Sequence, residues 1–177
     1  MNREIHHIFP RPLAENKSFL GPNQTKRVLE HLKSLEYVCI DNTEPNKSFI
    51  SSSKDVLSQL PEIKDIILND FLQYIEYSMK ITDAKFKIGS SWGTKAPPGT
   101  DSNWHIHSNY FYSGVYYPEK CTGIMFKDQL VDHHIHQILK CLIGEIFFAN
   151  YLRNIARNFG GEIVIIMVAC NTNMIDF

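Results

Sequence analysis

His105 and His107, in the run Asn103-Trp104-His105-Ile106-His107-Ser108-Asn109, have the residue types and spacing to do chemistry. In an extended segment alternate side chains share a face, so the two imidazoles would stand side by side with Ile106 on the other side. Adjacent imidazoles suit one shared transition metal, such as iron, zinc, copper or nickel. H-x-H is a short pattern, and a pair of surface or hydrogen-bonding histidines satisfies it equally well. Asn103 and Asn109 flank the pair. They could donate hydrogen bonds to the imidazoles or to a bound ligand, or simply satisfy backbone groups at a strand end. Tyr117 could line a pocket, although Tyr110, Phe111, Tyr112, Tyr116 and Tyr117 together read first as a core and sheet-surface pattern. A second group, Asp132-His133-His134-Ile135-His136, reads as a solvated loop or short helix, or as the source of a further metal ligand.

The elements that must position these residues change character along the chain. Ile8-Phe9-Pro10-Arg11-Pro12-Leu13 suits an extended or edge segment and not a central strand. Asn23 can cap a helix over 24–35, and Asp41 to Lys54 is polar and loop-like. Pro61 suits the first turn of a second helix. Its Ile63, Ile66, Ile67, Phe71, Tyr74 and Ile75 follow one buried stripe to about Lys80. The period then becomes two: Phe86, Ile88, Ser90 and Trp92 would share a face. Strand-like runs follow at His105–Tyr117, Gly123–Phe126, Glu145–Leu152 and Ile163–Cys170, rich in β-branched and aromatic residues. Helices followed by strands predict an α+β, mainly β chain with the helices packed on one face of an antiparallel sandwich or barrel. One domain over 1–177 is expected, with helical support over 22–80 and a β core over 84–177.

Composition narrows the classes. The 177 residues are 44% hydrophobic and 21% charged, with a formal net charge of -1, as in a globular chain with an ordinary core. No general electrostatic grip on nucleic acid or an anionic membrane is indicated. The longest apolar run, Ile163 to Cys170, falls far short of the roughly 20 residues of a membrane span. The N-terminus lacks the apolar region of a secretory signal. Cys39, Cys121, Cys141 and Cys170 form no C-x-x-C pair and read as reduced, mostly buried thiols of a cytoplasmic protein.

The ordered set Phe9-Pro10, Ser91-Trp92, His105-x-His107-x-Asn109 and Ser113-Gly114-x-Tyr116-Tyr117 resembles a bacterial and phage subgroup of the 2-oxoglutarate- and iron(II)-dependent oxygenases. The resemblance runs from about residue 8 to residue 128. It implies a double-stranded β-helix, or jelly roll, with helices backing one sheet. It also implies Fe(II) on His105 and His107 and 2-oxoglutarate as cosubstrate, near Asn103, Asn109 and Tyr117. Three protein ligands would leave positions open for a keto acid and dioxygen.

The C-terminal half of the chain departs from that pattern. Asn154 stands where the third iron ligand belongs, and Ile165 where an arginine would pair with the cosubstrate carboxylate. An amide is a weak ligand beside imidazole, and isoleucine cannot pair with a carboxylate. Arg153, Arg157 and Lys127 are candidate substitutes for the missing cation. Three readings stay open: an oxygenase acting on an unknown small-molecule or protein substrate, a degenerate relative that binds without turnover, or a metal-binding jelly roll that does not use 2-oxoglutarate. A homo-oligomer is compatible with each.

Overall fold

The structure, a computed structural model, describes residues 2–8, 11–17, 19–41, 48–82, 85–96, 112–119, 124–126, 137–139, 145–150 and 161–170. In chain order these form β1 (Asn2–Ile8), β2 (Arg11–Lys17), α1 (Pro22–Ser34), β3 (Tyr37–Asp41), β4 (Ser48–Ser51), a 3-10 turn (Val56–Gln59) and α2 (Pro61–Met79). Then come β5 (Phe86–Ala96), β6 (Tyr112–Tyr117), β7 (Ile124–Phe126), β8 (Gln137–Leu139), β9 (Glu145–Asn150) and β10 (Gly161–Cys170). Over the described residues the chain is thus a mixed α and β protein with two helices and a mainly antiparallel sheet. Among the described residues no helix is long and apolar enough to cross a membrane.

Eight strands form one sheet in the order β1-β2-β9-β6-β10-β5-β4-β3, while β7 and β8 pair separately. Every pairing is antiparallel except those of β10, which runs parallel to both β5 and β6. The antiparallel ladders β6·β9 and β7·β8 are nested. Tyr112 pairs with Asn150 and Ile124 with Leu139, twelve residues on along one arm and eleven back along the other. The two ladders are therefore nested in sequence, offset by a single residue.

Several expectations are corrected. β2 is an interior strand despite Pro12, because the proline pairs only with His7 of β1 and the ladder to β9 starts at Leu13. The missing N–H thus falls outside the doubly paired stretch. The stretch expected as a loop holds β4, which pairs with β3 and β5. The expected division into helical support and β core does not describe the sheet, since β1 to β4 contribute half its strands. α1 starts two residues earlier than expected: Gly21 is the cap residue, Pro22 begins the helix, and Gln24 Oε1 accepts the Gly21 N–H at 3.0 Å. Cys39 is exposed, not buried; Cys121 and Cys141 lie outside the described residues.

α2 ends as its sequence suggests, on Lys80 in the left-handed conformation (φ 56°) with its N–H bonded to Glu76 O. The helices lie on one face of the sheet. Val28 and Leu32 of α1 and Ile63, Ile67, Phe71, Tyr74 and Ile75 of α2 are buried with Ala14, Phe86, Ile88, Tyr112 and Tyr116 of the sheet. Phe71 anchors this layer edge-on to Tyr112 and Phe86, with ring centroids 5.1 and 5.2 Å away. Burial of such rings is the main stabilising term here. One polar pair sits inside the layer: Asn16 Nδ2 donates to Asp70 Oδ1 at 3.2 Å, which relieves the cost of burying both.

Candidate functional site

The sheet has a second buried face. On β6, Tyr112 and Tyr116 enter the helical layer, and Tyr116 shares a hydrogen bond with Thr25 Oγ1 at 2.9 Å. Side chains alternate along a strand, so Ser113, Val115 and Tyr117 look the other way. Ser113 and Tyr117 are nevertheless only 4% exposed. On β2, Ala14 and Asn16 meet the helices, while Leu13 and Glu15 look away and are 2% and 5% exposed. Leu13 and Tyr117 stand apart from the helical core cluster although both are buried. Glu15 is a carboxylate in that second face, and Ser113 Oγ has no hydrogen-bond partner among the described residues.

β5 reaches the same face through an irregularity. Its register with β10 shifts between Ile163 and Val164, so Ile163 pairs with Ile88 but Val164 with Ser90. The extra residue is Gly89, a bulge. Phe86 and Ile88 therefore face the helices, and after the bulge so do Ser91 and Gly93. Ser91 Oγ accepts the Leu57 N–H at 2.9 Å, and a Cβ on Gly93 would lie 2.9 Å from Leu32 Cδ2. The expected single face of Phe86, Ile88, Ser90 and Trp92 is thus broken: Ser90 and Trp92 look away from the helices, with Ser113 and Tyr117. Trp92 is half-buried, and Lys54 Nζ stands over its ring at 5.2 Å from the centroid. Partial removal of water pushes the Lys54 ammonium below its ordinary pKa.

Tyr117 is accordingly a buried residue on the face of β6 that looks away from the helices. His105, His107, Asn103, Asn109 and Trp104 lie outside the described residues, as do Asn154, Arg153, Arg157, Lys127, Asp128 and the His133 to His136 tract. Position 165 lies on β10 on the rung of Ser91 and Gly114. Among the described residues no group of three or more His, Cys, Asp or Glu could hold a metal. Comparison with protein-family models, with curated proteins and with solved structures found no match. Sequence reading missed Glu15 and Lys54. Glu15 carries no clear signal, since Leu13-Ala14-Glu15-Asn16 does not alternate in polarity, and both faces turn out to be covered. Lys54 carries none, because its placement follows from the isolated bridge between Asp55 and Ser91.

Proposed function

We propose that this chain is a jelly-roll protein of the iron(II)/2-oxoglutarate oxygenase type, with His105 and His107 as metal ligands. The observation that carries the reading is the division of β6. The motif Ser113-Gly114-x-Tyr116-Tyr117 puts Tyr116 into the helical scaffold and Ser113 and Tyr117 into a buried face behind it. A strand whose two faces are both interior suits a sandwich, and a jelly roll is a long antiparallel hairpin wrapped into two sheets. The nested β6·β9 and β7·β8 ladders have that order, whereas the joining of eight strands in one sheet and the parallel direction of β10 depart from it.

The donor set fits iron in part. Two neighbouring imidazoles are good ligands for it, and their other ring nitrogens would need acceptors such as the Asn103 or Asn109 side-chain oxygens. When bound, iron supplies the oxidative chemistry on dioxygen and a keto acid. The chain's part is to hold that ion dry and orient what binds beside it. Ser113 and Tyr117 supply hydroxyls on the buried face, and the half-buried indole of Trp92 supplies a flat apolar wall. Asn154 and Ile165 favour the second reading, a relative that keeps the fold and binds ligands without turnover.

Metal uptake tests the reading. The purified chain should take up one equivalent of Fe(II) or Zn(II), with binding weakening below about pH 6 as free imidazoles protonate. The His105→Ala/His107→Ala chain should lose that equivalent. Unchanged stoichiometry in the double variant would contradict the assignment and move any bound metal to another site.

A further inference from the structure

We infer that Asp70 and Asn16 form a pH-sensitive latch between α2 and β2, in which the Asp70 carboxyl keeps its proton and donates it to the Asn16 side-chain oxygen. The pair lies on the helical face of the sheet and owes nothing to the metal reading above. Both residues are 1% exposed, and Asn16 Nδ2 donates to Asp70 Oδ1 at 3.2 Å. Asn16 Oδ1 is buried and accepts no hydrogen bond among the described residues. Leaving such an acceptor buried and unfilled is costly. The carboxyl beside it has the means to fill it. An ionised carboxylate only accepts, whereas a protonated one has an O–H to donate. With the proton on Asp70 Oδ2, also a buried atom, amide and carboxyl exchange two hydrogen bonds. With the proton gone, one bond remains and a negative charge stays buried beside an amide oxygen.

The surrounding layer favours the neutral form, because burial disfavours charge. Ile67 and Phe71 flank Asp70 on α2 and are fully buried. On β2, Ala14 shares the helix-facing side with Asn16, while Glu15 and Lys17 alternate to the other side. On β6, Tyr112 and Tyr116 enter the same layer, and burial pushes both hydroxyls up to about 12, so neither is charged at neutral pH. Tyr74, one turn beyond Asp70, is raised too, by burial first and then by Tyr112. On α1 the cations are engaged elsewhere: Lys26 with Glu30, Arg27 with Glu62 and Lys33 with Glu119. His31 Nε2, though buried, has no hydrogen-bond partner among the described residues. β2 gives Ala14 and Asn16 to the helices and buries Leu13 and Glu15 on the opposite face. The latch therefore ties α2 to a strand that both faces share, and loss of the proton loosens that tie.

The folded chain then holds a proton that an exposed aspartate, titrating near pH 4, has already released. A group raised in the fold contributes stability that is whole below about pH 4 and is lost as pH rises toward its value in the fold. Urea unfolding of the parent and of Asp70→Asn, whose amide N–H can donate to Asn16 at every pH, isolates this contribution. The folding equilibrium constant of the parent should drop relative to that of Asp70→Asn by about tenfold per pH unit from pH 5 to 7. The parent, isotope-labelled at aspartate, should also show the infrared carbonyl band of a protonated carboxyl at pH 7. That band should vanish on heating through the unfolding transition and be absent from Asp70→Asn. A ratio that is flat from pH 5 to 7 overturns the latch. So does a folded parent without the band at pH 7, which decides the matter even if Asp70→Asn does not fold.

Discussion

Gly93 shows how closely single atoms are fitted where the sheet meets α1. A Cβ there would lie 2.7 Å from the Tyr37 hydroxyl oxygen and 2.9 Å from Leu32 Cδ2. Tyr37 is not free to swing aside, because its hydroxyl donates to Leu32 O at 3.0 Å, and the Gly93 N–H donates to Ser51 Oγ at 3.0 Å. Gly93→Ala should therefore destabilise the fold by about 1–3 kcal/mol through overpacking, measured by urea unfolding. A variant as stable as the parent would show that Leu32 and Tyr37 can yield. The glycine's place at a close approach was not legible in the sequence, where Ser90-Ser91-Trp92-Gly93 reads as continuous strand. The same holds for Trp92. The alternation is inverted by the bulge at Gly89, because an in-strand glycine suggests a bulge but does not by itself fix where the ladder shifts.

The elements with a strong period were legible. α2 runs from Pro61 to Met79 as its apolar stripe requires. β6 and β9 lie within the runs rich in β-branched and aromatic residues, and β10 covers the run Ile163–Cys170 but begins two residues earlier, at Gly161. The short elements were not. β4 has four residues and β8 three, too few for a period, and they exist because neighbouring strands pair with them. The packing of α2 on β6 makes a prediction of its own. Burial pushes the Tyr112 and Tyr116 hydroxyls up to about 12, and Tyr74 is raised too, by burial and then by Tyr112 beside it. These groups stay neutral in the fold, whereas in the unfolded chain they ionise near pH 10. The stability they contribute is whole below about pH 10 and is lost as pH rises toward 12. The slope is about 1.4 kcal/mol per pH unit for each tyrosine. Chemical denaturation between pH 9 and 11.5 should show this fall, and Tyr116→Phe should make it shallower. A flat profile would mean that these hydroxyls already meet water in the fold.

Across the described residues, a layer of two helices covers one face of the sheet, and the proposed function assigns binding to the other. The motif residues that fall on described strands divide between these faces. Tyr116 belongs to the first, Ser113, Tyr117 and Trp92 to the second. The sequence made the motif visible but not the division, since facing depends on register and on what covers each side. Surface ion pairs such as Lys33–Glu119 at 3.7 Å, between α1 and the turn after β6, add little, since exposed pairs contribute about 0–1 kcal/mol. The central claim is that the second interior holds a metal on the H-x-H pair. Anomalous scattering at the iron edge, from crystals grown with Fe(II), tests it most directly. The account predicts one peak about 2 Å from an imidazole nitrogen of each of His105 and His107. A map with no peak there, or with its peak on the His133 to His136 tract, would contradict it.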